Sequence, residues 1–319
     1  MKKNSEYMNN IENLTDKNLL VEVALNAKNI YDRLDALEKL SDPVFTQKIY
    51  ADIAKNDENK SNRMKAADKL ADKNLAQEIY ADIAIKGLPA TEAVEKLTDQ
   101  KLLEYVAKNA NYIFIRLYAA DRLADPITSQ ARYADIAKSE GDDFLARVTA
   151  VIKLTDQNVL ADIALNDDDN AVSKTAAEKI IDQNQIAGIA KNAKRSAARI
   201  AAIQNLTIQD VLVDISKHDK DWTVRKEAAL SLVNHEMNEN LLVELIRMWG
   251  NELKTSEDKN QRVNAAKVLD AFFKKFRRIE ITEYDGAFIR DKESWEIGNI
   301  NIWHTSDIRF HADKQLAKP

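Results

Sequence analysis

The residues best able to do chemistry are few. Four histidines occur, His218, His235, His304 and His311, and the segment HTSDIRFHAD brings His304, Asp307, His311 and Asp313 close together in sequence. Imidazole and carboxylate suit zinc or a similar divalent ion. The spacing follows no fixed ligand pattern, so the segment reads as a polar tail, and neither a metal nor a cofactor is expected. The absence of cysteine removes disulfides, thiol catalysis and thiolate metal sites. H-E-x-x-H, the phosphate-binding loop, G-x-G-x-x-G and G-x-S-x-G are also missing. Carboxylates are plentiful, and Asp156, near the head of LTDQNVLADIALND, could serve as a general acid. But LTDQ also occurs at Leu97–Gln100, with close variants elsewhere. An acid repeated at one structural place is punctuation, because an active site occurs once. No catalytic residue is assigned, and the chain is expected not to be an enzyme.

Bulk properties narrow the class. The 319 residues are 45% apolar and 31% charged, with six Gly and four Pro. That composition favours helices over strands and tight turns. A formal charge of −5 gives no general attraction to nucleic acid or to an anionic membrane. The opening MKKNSEYMNNIEN lacks the apolar region of a signal peptide. No apolar run approaches the roughly 20 residues needed to span a bilayer. A soluble, cytoplasmic, monomeric protein is expected.

The carboxylates become intelligible once the chain is aligned on itself. An L-[TSA]-D anchor and its variants fall at Leu14, Leu40, Leu70, Leu97, Leu123, Leu154, Ile180, Leu206 and Leu232. Successive anchors lie about 26 to 31 residues apart, room for two short helices and two turns. The first half reads D-x-x-L-x-x-I-A, as in DKNLLVEVA and DQNVLADIA. Val159, Leu160, Ile163 and Ala164 then share one stripe of a helix. The second half reads [VI]-R-x-x-A-x-x-x-L, as in VRKEAALSL, where Ala228, Ala229 and Leu232 share a face. Neither helix can bury its stripe alone, so the repeats must stack. Extra residues before Tyr50, Tyr80 and Tyr133 should lengthen the first helix by about one turn. The ninth repeat, with longer halves, suits a cap.

This pairing of motifs resembles the HEAT repeat in its short bacterial form, and is similar to the HEAT-like repeats of phycobilin lyases. The resemblance covers about Leu14 to Phe273. It implies an all-α, right-handed solenoid, and in most such proteins a protein-binding scaffold. A minority, the alkylpurine DNA glycosylases, act on DNA. They need a catalytic Asp one turn after a Trp; here Trp222 is followed at that place by Lys226, so no catalytic residue is carried over. The alternative function is nonetheless a HEAT-like enzyme, of bilin-lyase or DNA-glycosylase type.

Charged columns run through the repeats. Asp16, Asp42, Asp72, Asp99, Asp125, Asp156 and Asp182 open first helices, where a carboxylate satisfies free N–H groups. Arg33, Arg63, Arg116, Arg147, Arg199, Arg225 and Arg262 stand seven residues before their anchors, with breaks at Ala90 and Ser173. A cation near a helix N-terminus is disfavoured by the macrodipole and needs a partner. The Asp column of an adjacent repeat is the candidate, and the resemblance implies such an Arg–Asp ladder. Acids at Glu38, Asp68, Glu95, Asp121 and Glu178 precede bases at Lys39, Lys69, Lys96, Arg122, Lys153 and Lys179 in the last turn of second helices. Alternating signs read as a solvated face. Glu22, Asp52, Asp82, Asp135, Asp162 and Asp214 should form an acidic outer stripe. DNA affinity needs clustered Lys and Arg, and only the short KNAKRSAAR at 191–199 is basic, so nucleic acid is an unexpected partner.

After residue 278 the pattern changes. IEITEYDGAFIRD and WEIGNINIW alternate apolar and polar residues, which suits short strands. The organisation expected is a lead-in at 1–13, a HEAT-like solenoid of about nine two-helix repeats at 14–278, and a small β-containing cap or tail at 279–319. The predicted function is non-catalytic binding of a protein or peptide on the concave, second-helix side. Asp35, Lys65, Glu92, Tyr118 and Glu227, each two residues after the Arg position or its equivalent, are the geometric candidates for contact.

Overall fold

The structure, a computed structural model, describes residues 14–139, 143–237 and 239–275 and the strand segments 288–291, 294–297 and 300–303. Two compact units divide at Leu154. The first holds α1 (Lys17–Asn26), α2 (Ile30–Lys39), α3 (Pro43–Asn56), α4 (Lys60–Asp68), α5 (Lys73–Lys86), α6 (Ala90–Lys96), α7 (Gln100–Asn109), α8 (Ile113–Asp121), α9 (Pro126–Ala137) and α10 (Phe144–Lys153). The second holds α11 (Gln157–Asn166), α12 (Asn170–Glu178), α13 (Gln183–Asn192), α14 (Ser196–Asn205), α15 (Gln209–His218), α16 (Trp222–Leu232), α17 (Glu239–Thr255) and α18 (Lys259–Lys275). It also holds an antiparallel sheet in the order β1 (Phe288–Asp291), β2 (Ser294–Ile297), β3 (Ile300–Trp303), with Phe288 opposite Ile297 and Ser294 opposite Trp303.

Within each unit the two helices of a repeat pack on each other, as α1 on α2, α7 on α8 and α17 on α18. Within each unit, first helices also pack on first helices and second on second, as α5 on α7 and α6 on α8. The layer between them is built from the I-A and A-A steps. Ile83, Ala84, Ile163, Ala164, Ala119, Ala120, Ala176 and Ala177 are almost wholly buried. Small alanines let the helices approach closely, while the anchors Leu97, Leu154 and Leu232, at most 1% exposed, fill the space beneath each turn. Burial of each such leucine contributes about 1.5–3 kcal/mol.

The Asp column consists of N-caps. Asp16, Asp72, Asp99, Asp156 and Asp182 each accept two backbone N–H groups, Asp42 accepts that of Phe45, and Asp125 those of Ile127 and Thr128. The two lengthened helices α3 and α5 have 14 residues and α9 has 12, against 10 in α1, α7, α11, α13 and α15.

A glutamine column, absent from the charge-based reading, locks successive pairs together. Gln77 Nε2 donates to the Lys96 carbonyl at 2.9 Å, while its Oε1 accepts the Thr98 and Asp99 amides at 2.7 and 3.0 Å. Gln47 brackets Leu70 in the same way, Gln157 brackets Ile180 and Gln183 brackets Leu206. Gln100, Gln130 and Gln209 make bonds of this kind as well. Each therefore satisfies orphan groups at the end of the following second helix. Gln47, Gln77 and Gln130 lie five residues after their capping Asp, whereas Gln100, Gln157 and Gln183 lie one after. The four-residue difference is one helical turn, so the extra turn sits at the N-terminal end and leaves the stacking contact in place.

The arginine column departs from the pairing expected with the capping aspartates. Arg33, Arg63 and Arg147 each donate Nε to the carbonyl of Ala24, Ala54 or Ala137, at the C-terminal end of the preceding first helix. Arg199, Arg225 and Arg262 reach the carbonyls of Ala193, Asp219 and Ser256 just beyond it. The unfavourable N-terminal position is thus answered by the negative end of the neighbouring helix. The carboxylates come from other positions of the next pair: Asp57 for Arg33, Asp82 for Arg63, Asp219 for Arg199 and Glu252 for Arg225. The capping Asp side chains are committed to N–H groups. Arg199 and Asp219 form the most buried pair, bidentate at 2.8 and 3.0 Å with side chains 3% and 6% exposed.

At the two breaks in that column the backbone takes over. Ala90 and Ser173 are buried, and the next C-cap is Ala110 or Ala193 rather than an acid. There the amide of Asn111 donates to the Ile85 carbonyl at 3.1 Å, and that of Lys194 to the Leu165 carbonyl at 2.9 Å. Loss of the arginine and of the acid together lets adjacent loops close into direct contact.

The charges in the last turns of second helices also join neighbouring pairs. Asp68 accepts Tyr80 Oη at 2.7 Å and Lys96 Nζ at 3.0 Å. Asp121 accepts Tyr133 Oη at 2.7 Å and Lys153 Nζ at 3.1 Å, and Glu38 holds Lys69. Burial, followed by the bond to the carboxylate, pushes the Tyr80 and Tyr133 hydroxyls well above the usual phenol range. Burial and then the nearby Glu38 and Asp35 push Tyr50 up to about 12. These hydroxyls are donors at any ordinary pH.

Candidate partner-binding surface

Each second helix buries one stripe and turns the adjoining one outward. In α8, Ile113, Leu117 and Ala120 are buried, whereas Phe114 and Asp121 are exposed with half-buried Tyr118 between them. In α10, Ala146 and Ala150 are buried and Leu145 and Ile152 stand out. Exposure reaches 47% at Phe114, 55% at Leu145 and 59% at Ile152. Leu88, just ahead of α6, is 87% exposed. Nothing in the local folding of α8 or α10 requires apolar residues at these places.

The links between pairs fix the register. The Asp121–Lys153 contact at 3.1 Å sets α8 abreast of α10. Tyr118 Oη lies 3.2 Å from Glu95 Oε1, and Arg122 donates to the carbonyls of Glu95 and Leu97 at 3.1 and 3.3 Å, which sets α6 beside α8. Positions at equal distance from the anchors Leu97, Leu123 and Leu154 then fall into rows, the first of which starts in the turn ahead of α6. One row is Leu88, Phe114 and Leu145; the next is Glu92, Tyr118 and Thr149; the third is Glu95, Asp121 and Ile152. An apolar row thus runs beside two rows that are acidic at the α6 end.

The five residues singled out from spacing are distributed unevenly over this surface. Glu92 is exposed on α6, within it, and Tyr118 is half-buried on α8 with its hydroxyl on Glu95. Asp35 is exposed on α2. Lys65 on α4 is engaged: its Nζ lies 2.6 Å from Tyr31 Oη and 3.9 Å over the ring of Tyr31. Glu227, half-buried, is on α16 in the second unit. Spacing alone missed Leu88, Phe114, Leu145 and Ile152. Their signal was present: large apolar residues on a face whose burial stripe was already complete.

The acidic outer stripe is largely paired. Asp82 takes Arg63 and Lys86, Asp135 takes Arg132, and Asp214 takes Lys191 and His218. Burial alone would raise the Asp82 carboxyl, but hydrogen bonds from Lys86 and Arg63 outweigh it and hold the group below the usual carboxylate range. The basic segment at 191–199 is likewise spent, with Lys194 and Arg195 on Asp168 and Arg199 on Asp219. Trp222 opens α16 behind the Asp221 cap. Among the described residues no group of three or more His, Cys, Asp or Glu could hold a metal ion, and no helix is long and apolar enough to cross a membrane. His304, Asp307, His311 and Asp313 lie outside the described residues.

No family model matches the chain, and no curated protein matches it.

Proposed function

We propose that this chain is a non-catalytic binding scaffold, a right-handed solenoid of about nine HEAT-like repeats that takes a protein or peptide on its concave, second-helix side. The observation carrying this reading is the set of exposed apolar residues Leu88, just ahead of α6, and Phe114 and Leu145 on α8 and α10, next to side chains whose own hydrogen bonds are made within the stack. Solvent-facing apolar rows of this kind mark interaction surfaces. A single-site chemistry would instead call for one isolated aromatic–carboxylate constellation, whereas the acids here recur from repeat to repeat as caps and links.

The test compares the intact chain with Phe114→Ser/Leu145→Ser as bait in extracts of the native host. Both positions are exposed, so the change in stability should stay within about 0.5 kcal/mol each. The expected result is a specific partner retained by the wild type and lost by the variant at equal melting temperature. Identical capture by both chains, or turnover of a substrate by the purified protein, would sink the proposal.

A further inference from the structure

We infer that the row Leu88, Phe114 and Leu145 seats an extended, polyproline-II-like segment with an apolar side chain at every third position and a Lys or Arg alongside. This rests on the protein-binding reading above and adds the chemistry of the partner. The rows cross from helix to helix, and packed helices stand about 8–10 Å apart. A polyproline-II chain advances about 3.1 Å per residue with three residues per turn, so the same face recurs about every 9 Å. One turn of ligand therefore spans one helix of the surface. A β-strand presents the same face about every 6.7 Å and falls out of step by the second helix, and an α-helix, with a pitch of about 5.4 Å, keeps step only by leaving every second turn without an anchor. Aromatic flanks suit such a ligand. Tyr112, 59% exposed, supplies one. Its ring lies where a side chain at Gly87 would begin, 3.3 Å from that point.

Charge selects among occupants. Glu92 and Glu95 are exposed on α6, beside the row, with one oxygen of Glu95 already taking the Tyr118 hydroxyl. The nearby cations are engaged, with Lys60 on the Lys86 carbonyl, Lys96 on Asp68 and Lys153 on Asp121. The surface thus offers carboxylates to an incoming cation. A second copy of this chain would bring the same acids to the same place, on a protein of net charge −5, and like charges brought together disfavour that pairing. The occupant is a different, basic and apolar segment.

The probe is a displayed library of random peptides of about nine residues, three polyproline-II turns, selected on the full-length chain. The expected winners carry apolar or proline residues at three-residue spacing with net positive charge. Synthetic copies should bind about tenfold or more weakly to Phe114→Ser/Leu145→Ser, in the manner of a buried anchor. With Glu92→Lys they should lose their salt dependence. Winners that are acidic or spaced i, i+4, or binding indifferent to these variants, would overturn the inference. The scaffold reading would survive that result if native-partner capture still depended on Phe114 and Leu145, and would fall with it if not. A wild-type dimer in sedimentation that the double variant abolishes would assign the row to a second copy and also overturn it.

Discussion

At the scale of the residue, the chain shows how one side chain can be judged only with its partner. Arg199 sits where a helix dipole repels a cation, yet it is 2% exposed. It is tolerable because three partners answer it at once: both oxygens of Asp219 and the Ala193 carbonyl. Removing one member of a buried pair leaves the other charge without compensation, at a cost of about 3–5 kcal/mol. Arg199→Ala should lose that much in urea unfolding, whereas Arg199→Leu/Asp219→Asn should recover part of it. Equal losses in the two variants would show that the charge pair is not the source. The presence of the arginine column was legible in the sequence. Its partners were not, because they come from more than one place in the repeat: Asp57 and Asp219 are C-caps of first helices, whereas Asp82 and Glu252 stand inside theirs, and the recurring N-cap Asp offered a tidier but incorrect match.

At the scale of the element, the helices were the most legible part. Caps, the I-A and A-A steps and the anchor leucines are all local, and each places its helix within a few residues. The lengthened α3, α5 and α9 were also readable from inserted residues. Which end grew was not readable, since only the glutamine contacts show that the stacking point stayed fixed. Gln183 holds the Asn205 carbonyl and both the amide and hydroxyl of Thr207. Gln183→Ala should therefore cost about 1–3 kcal/mol, the range for leaving buried partners unsatisfied, reduced by the exposure of this site. Gln183→Glu keeps the acceptor and loses the donor, and should fall between. Thermal unfolding of the three chains checks the order, and an alanine variant as stable as the wild type would remove the glutamine column from the account of stacking.

At the scale of the whole molecule, stability should be a sum of local terms, because each pair meets only its sequence neighbours within a unit. Leu97 is fully buried in the first unit, so Leu97→Ala should cost about 2–5 kcal/mol through lost burial and the cavity left behind. Hydrogen exchange should show the loss of protection concentrated in α5 to α8 and weak in α13 to α16. A uniform loss across the chain would instead indicate a single cooperative core.

The sequence by itself determined that the chain is helical, where the helices begin, and that their faces must be covered by neighbours, because caps and apolar periodicity act within a dozen residues. Tertiary structure alone decided which charges meet. Those pairs join residues about 20 to 30 positions apart in sequence, where small differences in loop path choose between equivalent acids. It also decided that Leu88, Phe114 and Leu145 stay exposed. An apolar residue read alone is assigned to a core, and only the packed helices show that the core beneath it was already full.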